Sequence, residues 1–223
     1  MQLKQLKKRC GGILKNKEIN FFSTKVNTSI FKYSDKDIVR NELGLDRNRL
    51  IFVTTGRIHH TKGWRFLLDV VSKYKNENRD CLLIFVGDGG DRKMMELEIS
   101  NLKIENNVLI TGFMSPDNVA KYIQAADLFL LGSQKEGWST SLIEALACYR
   151  PIVTTKVSSA TTIVKEGVNG FVVEQNDIIG FIEKIDKALH LPAFTSYVEN
   201  EIQKYSLGNL KNSLEKIWNP EGS

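Results

Sequence analysis

The sequence has no run of apolar residues approaching the roughly 18 that a membrane-spanning helix needs. Its start, Met1-Gln-Leu-Lys-Gln-Leu-Lys-Lys-Arg, leads into no apolar stretch and so does not read as a secretory signal. Cysteine is scarce: Cys10, Cys81 and Cys148 are odd in number and far apart. They form no metal-binding pattern, and buried or incidental thiols in a reducing cytoplasm are the reading that fits. No internal repeat and no long low-complexity linker divides the chain. Nor is there the interleaving of basic and aromatic residues that lines a nucleic-acid groove, so no nucleic-acid partner is expected.

What remains is a chain of 223 residues, 42% hydrophobic and 26% charged, sized for one sizeable α/β domain. Lys and Arg total 31 against 26 acids, a formal charge of +5. A mild excess of this kind suits an anionic small molecule, a membrane surface or nucleic acid about equally. The densest basic cluster is Lys4, Lys7, Lys8, Arg9, Lys15 and Lys17. Leu3, Leu6, Cys10 and Ile13 recur through it at helical spacing, so residues 1–18 read as a basic amphipathic helix. That helix is a solvated surface element, or else a peripheral contact to the inner membrane face or a partner.

Short β-rich runs alternate with helical patterns through residues 19–190. Strands are expected at Ile19–Ser23, Leu50–Thr55, Cys81–Val86, Val108–Thr111, Leu128–Leu131, Ile152–Thr154 and Phe171–Val173. Several are continuous apolar runs, the mark of strands buried on both faces of a parallel sheet. Helices are expected at Asp35–Leu43, Gly63–Tyr74, Lys93–Ser100, Asp117–Ala125, Ser139–Cys148, Ala160–Lys165 and Asp177–Leu189. This order implies an α/β, doubly wound, Rossmann-like parallel sheet with helices on both faces. Residues 191–223 read as a helical tail, one or two helices through Trp218, packing back on the domain. Ligands of such sheets sit beyond the carboxyl ends of the strands, so the strand-to-helix loops carry the interest.

The loop Gly56-Arg57-Ile58-His59-His60-Thr61-Lys62-Gly63 places two cations near a helix start, a combination that neutralises a diphosphate. An alternative is that both are ordinary surface charges. His59 and His60, being adjacent, should point apart, and no third ligand lies near them, so no metal site is expected. Gly87, Gly89 and Gly90 do not complete G-x-G-x-x-G, because Arg92 stands three residues after Gly89. These glycines admit a ligand to the backbone or make a turn. Gly112-Phe113-Met114 follows a strand and offers its backbone and a ring to a base, though packing alone equally explains a Gly-Phe turn in front of a helix. In the segment from Ser133 to Ala147, the free N–H groups of Ser139, Thr140 and Ser141 are expected to form an anion site at a helix start. Glu136 precedes that helix and Glu144 lies inside it, both suited to accept hydrogen bonds from neutral hydroxyls. Ser141-Leu142-Ile143-Glu144 also fits a capping box, which would give Glu144 a purely structural task.

At these residues the chain resembles the C-terminal, donor-binding domain of a family 4 glycosyltransferase of GT-B fold. The family signature, two glutamates with seven residues between them, stands here as Glu136-Gly137-Trp138-Ser139-Thr140-Ser141-Leu142-Ile143-Glu144-Ala145-Leu146-Ala147, followed by Pro151-Ile152-Val153. Gly56-Arg57 and Lys62-Gly63, Val86-Gly87-Asp88-Gly89, Ala126-Asp127-Leu128, Gly167-Val168-Asn169-Gly170-Phe171-Val172 and Thr28-Ser29-Ile30-Phe31 match further family segments in order. The resemblance implies a nucleotide-sugar donor, UDP-sugar ahead of GDP-sugar, and retaining transfer with no metal or other cofactor. Arg57, Lys62 and Glu136 would carry catalysis, with the two cations on the diphosphate and Glu136 on the hexose. Gly56, Gly112, Phe113, Gly137, Trp138, Ser139, Thr140, Ser141 and Glu144 would contact the donor, Glu144 through the ribose hydroxyls. The acceptor would be held by an N-terminal domain in cis or trans, absent ahead of residue 19, so that the isolated chain would turn over poorly or not at all. Cytoplasmic polysaccharide or glycolipid biosynthesis is the implied setting. A non-catalytic interaction module and a GT-B nucleotide-sugar epimerase or hydrolase are the alternatives. Three departures stand out: Ser158-Ser159 and Thr162 replace the family's small-residue pair and acid, Tyr149 replaces a Gly, and Ser23-Thr24-Lys25 replaces a turn.

Overall fold

The computed structural model describes residues 24–192 and 196–218. The expected basic helix 1–18 and strand Ile19–Ser23 lie outside them. Six strands form one parallel sheet: β1 Ile51–Thr55, β2 Leu82–Val86, β3 Val108–Gly112, β4 Leu128–Leu131, β5 Ile152–Thr155 and β6 Gly170–Val173. Their spatial order is β3-β2-β1-β4-β5-β6, the doubly wound Rossmann-like arrangement. The apolar runs explain it: Ile51, Phe52, Val53 and Thr54 are all buried, because helices cover both faces of the sheet.

Alternate strand residues feed two cores. Ile51, Val53, Ile84, Phe129 and Ile152 pack on one side. Phe52, Leu83, Leu128, Leu130 and Val153 pack on the other. The helices are α1 Lys36–Leu43, α2 Trp64–Asn76, α3 Arg92–Asn101, α4 Pro116–Ala125, α5 Thr140–Ala147, α6 Ala160–Ile163, α7 Ile178–Ala188, α8 Ser196–Tyr205 and α9 Leu207–Trp218. Helices α2, α3 and α7 bury their apolar stripes in the second core; α4, α5, α6 and α8 serve the first. The tail forms two helices, and α8 packs against α5. Its end meets the chain's first described segment, where the Val26 N–H donates to the Tyr205 carbonyl at 2.8 Å.

Local chemistry sets the element ends. Asp35 caps α1 by accepting the N–H groups of Asp37 and Ile38, and Gly44 closes it in the left-handed conformation. Helix α6 stops at Ile163, short of the Lys165 the sequence pattern suggests. The Asn169 side chain takes the Lys165 N–H at 2.7 Å and donates to the Ile163 carbonyl at 3.0 Å, which diverts the backbone from the helical ladder into β6. At the amino end of the central strands Arg40, 1% exposed, donates to Asp127 at 2.7 Å and to the carbonyls of Ala125, Arg47 and Arg49. Asp127 also accepts the Ile51 N–H and the Lys36 ammonium, so one carboxylate fixes α1 to the starts of β1 and β4.

Candidate functional site

Strands β1 and β4 are neighbours whose following helices, α2 and α5, pack on opposite faces of the sheet. Their loops therefore diverge and leave a crevice at the carboxyl end, where the winding reverses. A cavity of about 930 Å³ occupies it. Gly56, Arg57 and Lys62 line it from the β1 loop, and Glu136, Trp138, Ser139, Thr140, Ser141 and Glu144 from the β4 loop and α5. Phe113, 89% exposed, stands at its wall beside Met114. Gly112 and Gly137 do not line it. Gly112, at φ +78°, instead shapes the turn that carries Phe113, and Gly137 is exposed in the loop behind Trp138.

The β1 loop is seated by close backbone packing. A Cβ on Gly87 would lie 1.9 Å from the Gly56 carbonyl oxygen, and one on Gly89 would lie 2.2 Å from that of Ile58. Gly87 and Gly89 therefore admit protein backbone, and Gly87 also lines the cavity. The rings of His59 and His60 do not point apart: their centroids lie 4.1 Å from each other. His59 Nδ1 is engaged with the Thr61 hydroxyl at 2.9 Å, and among the described residues no group of three potential metal ligands includes either ring.

The Arg57 side chain is exposed and makes no hydrogen bond or ion pair among the described residues. Lys62, by contrast, is engaged. Its ammonium donates to Glu136 Oε1 at 2.7 Å, and the Ser133 hydroxyl donates to the same oxygen at 2.7 Å. The cation and acid that the sequence suggests for different parts of a ligand are thus paired with each other.

Helix α5 begins at Thr140 with Ser139 as its N-cap residue, which removes the capping-box reading. Ser141 is already inside the helix, so it cannot cap, and the Glu144 carboxylate turns to the cavity without a hydrogen bond or ion pair among the described residues. Burial pushes its pKa up to about 7. One expected anion donor is also lost. The Ser139 N–H donates to the buried Ser159 hydroxyl at 3.0 Å, leaving the amides of Thr140 and Ser141 as the open groups of the helix start. Ser158 donates to the carbonyls of Glu136 and Gly137. The two serines that depart from the family pattern therefore hold the loop that carries Glu136.

Sequence reasoning gave no site role to Lys25, Asp88, Ser133, Ser158 or Ser159. Lys25 lines the cavity and donates to the Lys204 carbonyl at 2.7 Å; burial lowers its pKa. Asp88 also lines it, held ionised by the Gly89 N–H and Arg92. Because Glu136 and Asp88 each have a cationic partner, Arg57, Lys25 and the helix start leave this wall attractive to an anion.

A family model described as "Glycosyl transferases group 1" matches residues 35–205. The 2-deoxystreptamine N-acetyl-D-glucosaminyltransferase of Niallia circulans is 33% identical over 145 residues, 65% of this chain and 37% of that protein. The chain spans 37%, 52% and 54% of the length of three curated relatives it matches. Among solved structures, Anabaena HepE in complex with UDP and glucose superposes with a TM-score of 0.74 at 22% identity, covering 94% of this chain and 58% of that one. The C-terminal domain of a group 1 family glycosyl transferase from Francisella tularensis gives 0.65 at 18% identity, covering 85% of this chain and 98% of that one. These two are likenesses of fold.

Proposed function

Since this chain belongs to the group 1 glycosyl transferase family, we propose that its cavity binds a nucleoside-diphosphate sugar as donor for glycosyl transfer. The observation that carries the reading is the convergence on one cavity of Arg57, Lys62, the amides of Thr140 and Ser141, and the carboxylate of Glu144, which has no partner among the described residues. In this reading the cations and helix start take the diphosphate, Glu144 accepts the ribose hydroxyls, Glu136 accepts hydroxyls of the hexose, and Phe113 lies against the base. The cavity is in the size range of small-molecule sites, which run from about 300 to 1,000 Å³.

Transfer breaks the bond between the anomeric carbon and the diphosphate oxygen and forms one to the oxygen of an acceptor hydroxyl, whose proton passes to the departing diphosphate. Negative charge then grows on the leaving diphosphate, where Arg57 and the α5 start stand open and Lys62 is added once it exchanges Glu136 for the phosphate. We assign the chain to the donor-binding, C-terminal half of a retaining family 4 enzyme that needs no metal. Its acceptor half would be supplied in cis or trans, and closure over the donor would be needed for turnover. The Francisella fold likeness supports the placement, and the UDP held by HepE supports UDP over GDP. Two buried free thiols, Cys81 and Cys148, support a reducing, cytoplasmic setting. No helix among the described residues is long and apolar enough to cross a membrane; a peripheral contact through residues 1–18 remains part of the proposal.

Calorimetric titration of the chain with UDP, GDP and AMP tests the reading. UDP is expected to bind most tightly and AMP least, since AMP has no diphosphate. Equal, weak binding of all three would remove the site.

A further inference from the structure

The geometry points to Glu136 as an internal counter-ion that competes with the ligand's diphosphate for Lys62, and thereby sets a preference for the nucleotide sugar over the free nucleotide. This rests on the donor-binding reading and adds a coupling between its two ends.

The Glu136 side chain is 8% exposed, while Lys62 is 34% exposed. A carboxylate so far removed from water depends on its donors, and Glu136 Oε1 has two: the Lys62 ammonium and the Ser133 hydroxyl, both at 2.7 Å. The backbone that carries it is held from behind: Ser158 donates to the Glu136 carbonyl, and Thr155 donates to the Ser133 carbonyl at 2.6 Å. A diphosphate that draws Lys62 toward itself leaves Glu136 buried with Ser133 alone. Free UDP offers nothing in return. A UDP-sugar does, because its ring hydroxyls donate to the vacated carboxylate. The sugar thus releases Lys62 to the diphosphate, and after transfer Glu136 recaptures Lys62 and weakens the hold on the product nucleotide.

The test is a comparison of UDP and UDP-glucose binding to the wild-type chain, Glu136→Gln, Lys62→Ala and the double variant, each checked by thermal unfolding. Glutamine keeps the Ser133 contact and frees Lys62. UDP is expected to bind Glu136→Gln about tenfold more tightly, the effect of returning one charge-assisted contact to the ligand. UDP-glucose should gain less, so the ratio of the two affinities shrinks. On the Lys62→Ala background the Glu136 substitution should change UDP binding by less than about twofold, since the coupling runs through that lysine. If Glu136→Gln does not fold, Glu136→Asp, which draws the charge back by one methylene, should give a smaller gain of the same sign. Unchanged or weaker UDP binding in the folded variant overturns the coupling. If the wild-type chain binds neither ligand, the donor-binding reading itself falls. If it binds both in an Arg57-dependent manner and the Glu136 variants bring no gain, only the coupling falls.

Discussion

Gly63 and Gly132 meet backbone against backbone: a Cβ built on Gly63 would stand 1.7 Å from the Gly132 carbonyl oxygen. The contact locks the start of α2 to the end of β4, and the Gln134 N–H adds a bond to the Thr61 carbonyl at 2.9 Å. It is why Lys62 and Glu136, 74 residues apart in sequence, face each other.

Gly63→Ala should therefore destabilise the fold. The new methyl collides with backbone that has no rotamer to yield, and φ at this position is +68°. Overpacking and left-handed strain together should cost about 2–5 kcal/mol, read as a lower denaturation midpoint in urea. A midpoint within error of wild type would show that the two loops do not touch.

Ser159→Ala removes the acceptor of the buried Ser139 N–H. Leaving that donor unsatisfied should cost about 1–3 kcal/mol. Ser158→Ala, at an exposed position, should cost less than about 1 kcal/mol. Chemical denaturation of the two variants side by side decides this, and the reverse ranking would contradict it.

Asp127→Asn tests the other end of the sheet. Burial opposes ionisation of Asp127, but the Lys36 ammonium, the Ile51 N–H and Arg40 outweigh it and hold its pKa below the usual carboxylate range. A depressed folded pKa stabilises above the unfolded value, and that stabilisation is lost as pH falls through the folded one. Asparagine leaves Arg40 buried without a counter-charge, at a cost of about 3–5 kcal/mol near neutrality. The difference from wild type should narrow on acidification, and a gap independent of pH would sink the electrostatic account.

Glu144 has the opposite sign. Burial raises its folded pKa to about 7, so the native state keeps a proton that the unfolded chain loses first. Stability should fall as pH rises from about 4.5 to 7, by on the order of 3 kcal/mol from this group alone. Glu144→Gln should flatten that part of the stability–pH curve and be more stable than wild type at pH 8. Ribose hydroxyls favour the ionised form, so UDP-glucose affinity should rise with pH up to about 7 in wild type and not in Glu144→Gln. Parallel pH profiles for the two proteins would count against a free carboxylate in the cavity.

Much of the fold was legible locally. Runs such as Leu128–Leu131 are apolar throughout because both faces of the strand are covered. The loops that line the cavity were legible because the chain must turn sharply where strands end at the crevice. What the sequence did not reveal depends on partners far along the chain. Asp127 finds Arg40 across 87 positions, and Ser139 finds Ser159 across 20. Neither pairing has a local signature. The capping-box pattern at Ser141 and Glu144 was ambiguous for a narrower reason: a two-residue shift in the start of α5 turns a structural glutamate into a cavity glutamate. The Lys62–Glu136 pair was hidden because each residue, taken alone, has an equally good use for an exogenous ligand.

The most direct measurement is a calorimetric titration of UDP-glucose, the ligand that frees Lys62 from Glu136, into the wild-type chain, Arg57→Ala and Lys62→Ala under one salt condition. Convergence of both cations on a single diphosphate predicts that each substitution weakens binding by about tenfold or more, the loss of one charge-assisted contact. The same affinity in all three proteins would contradict it.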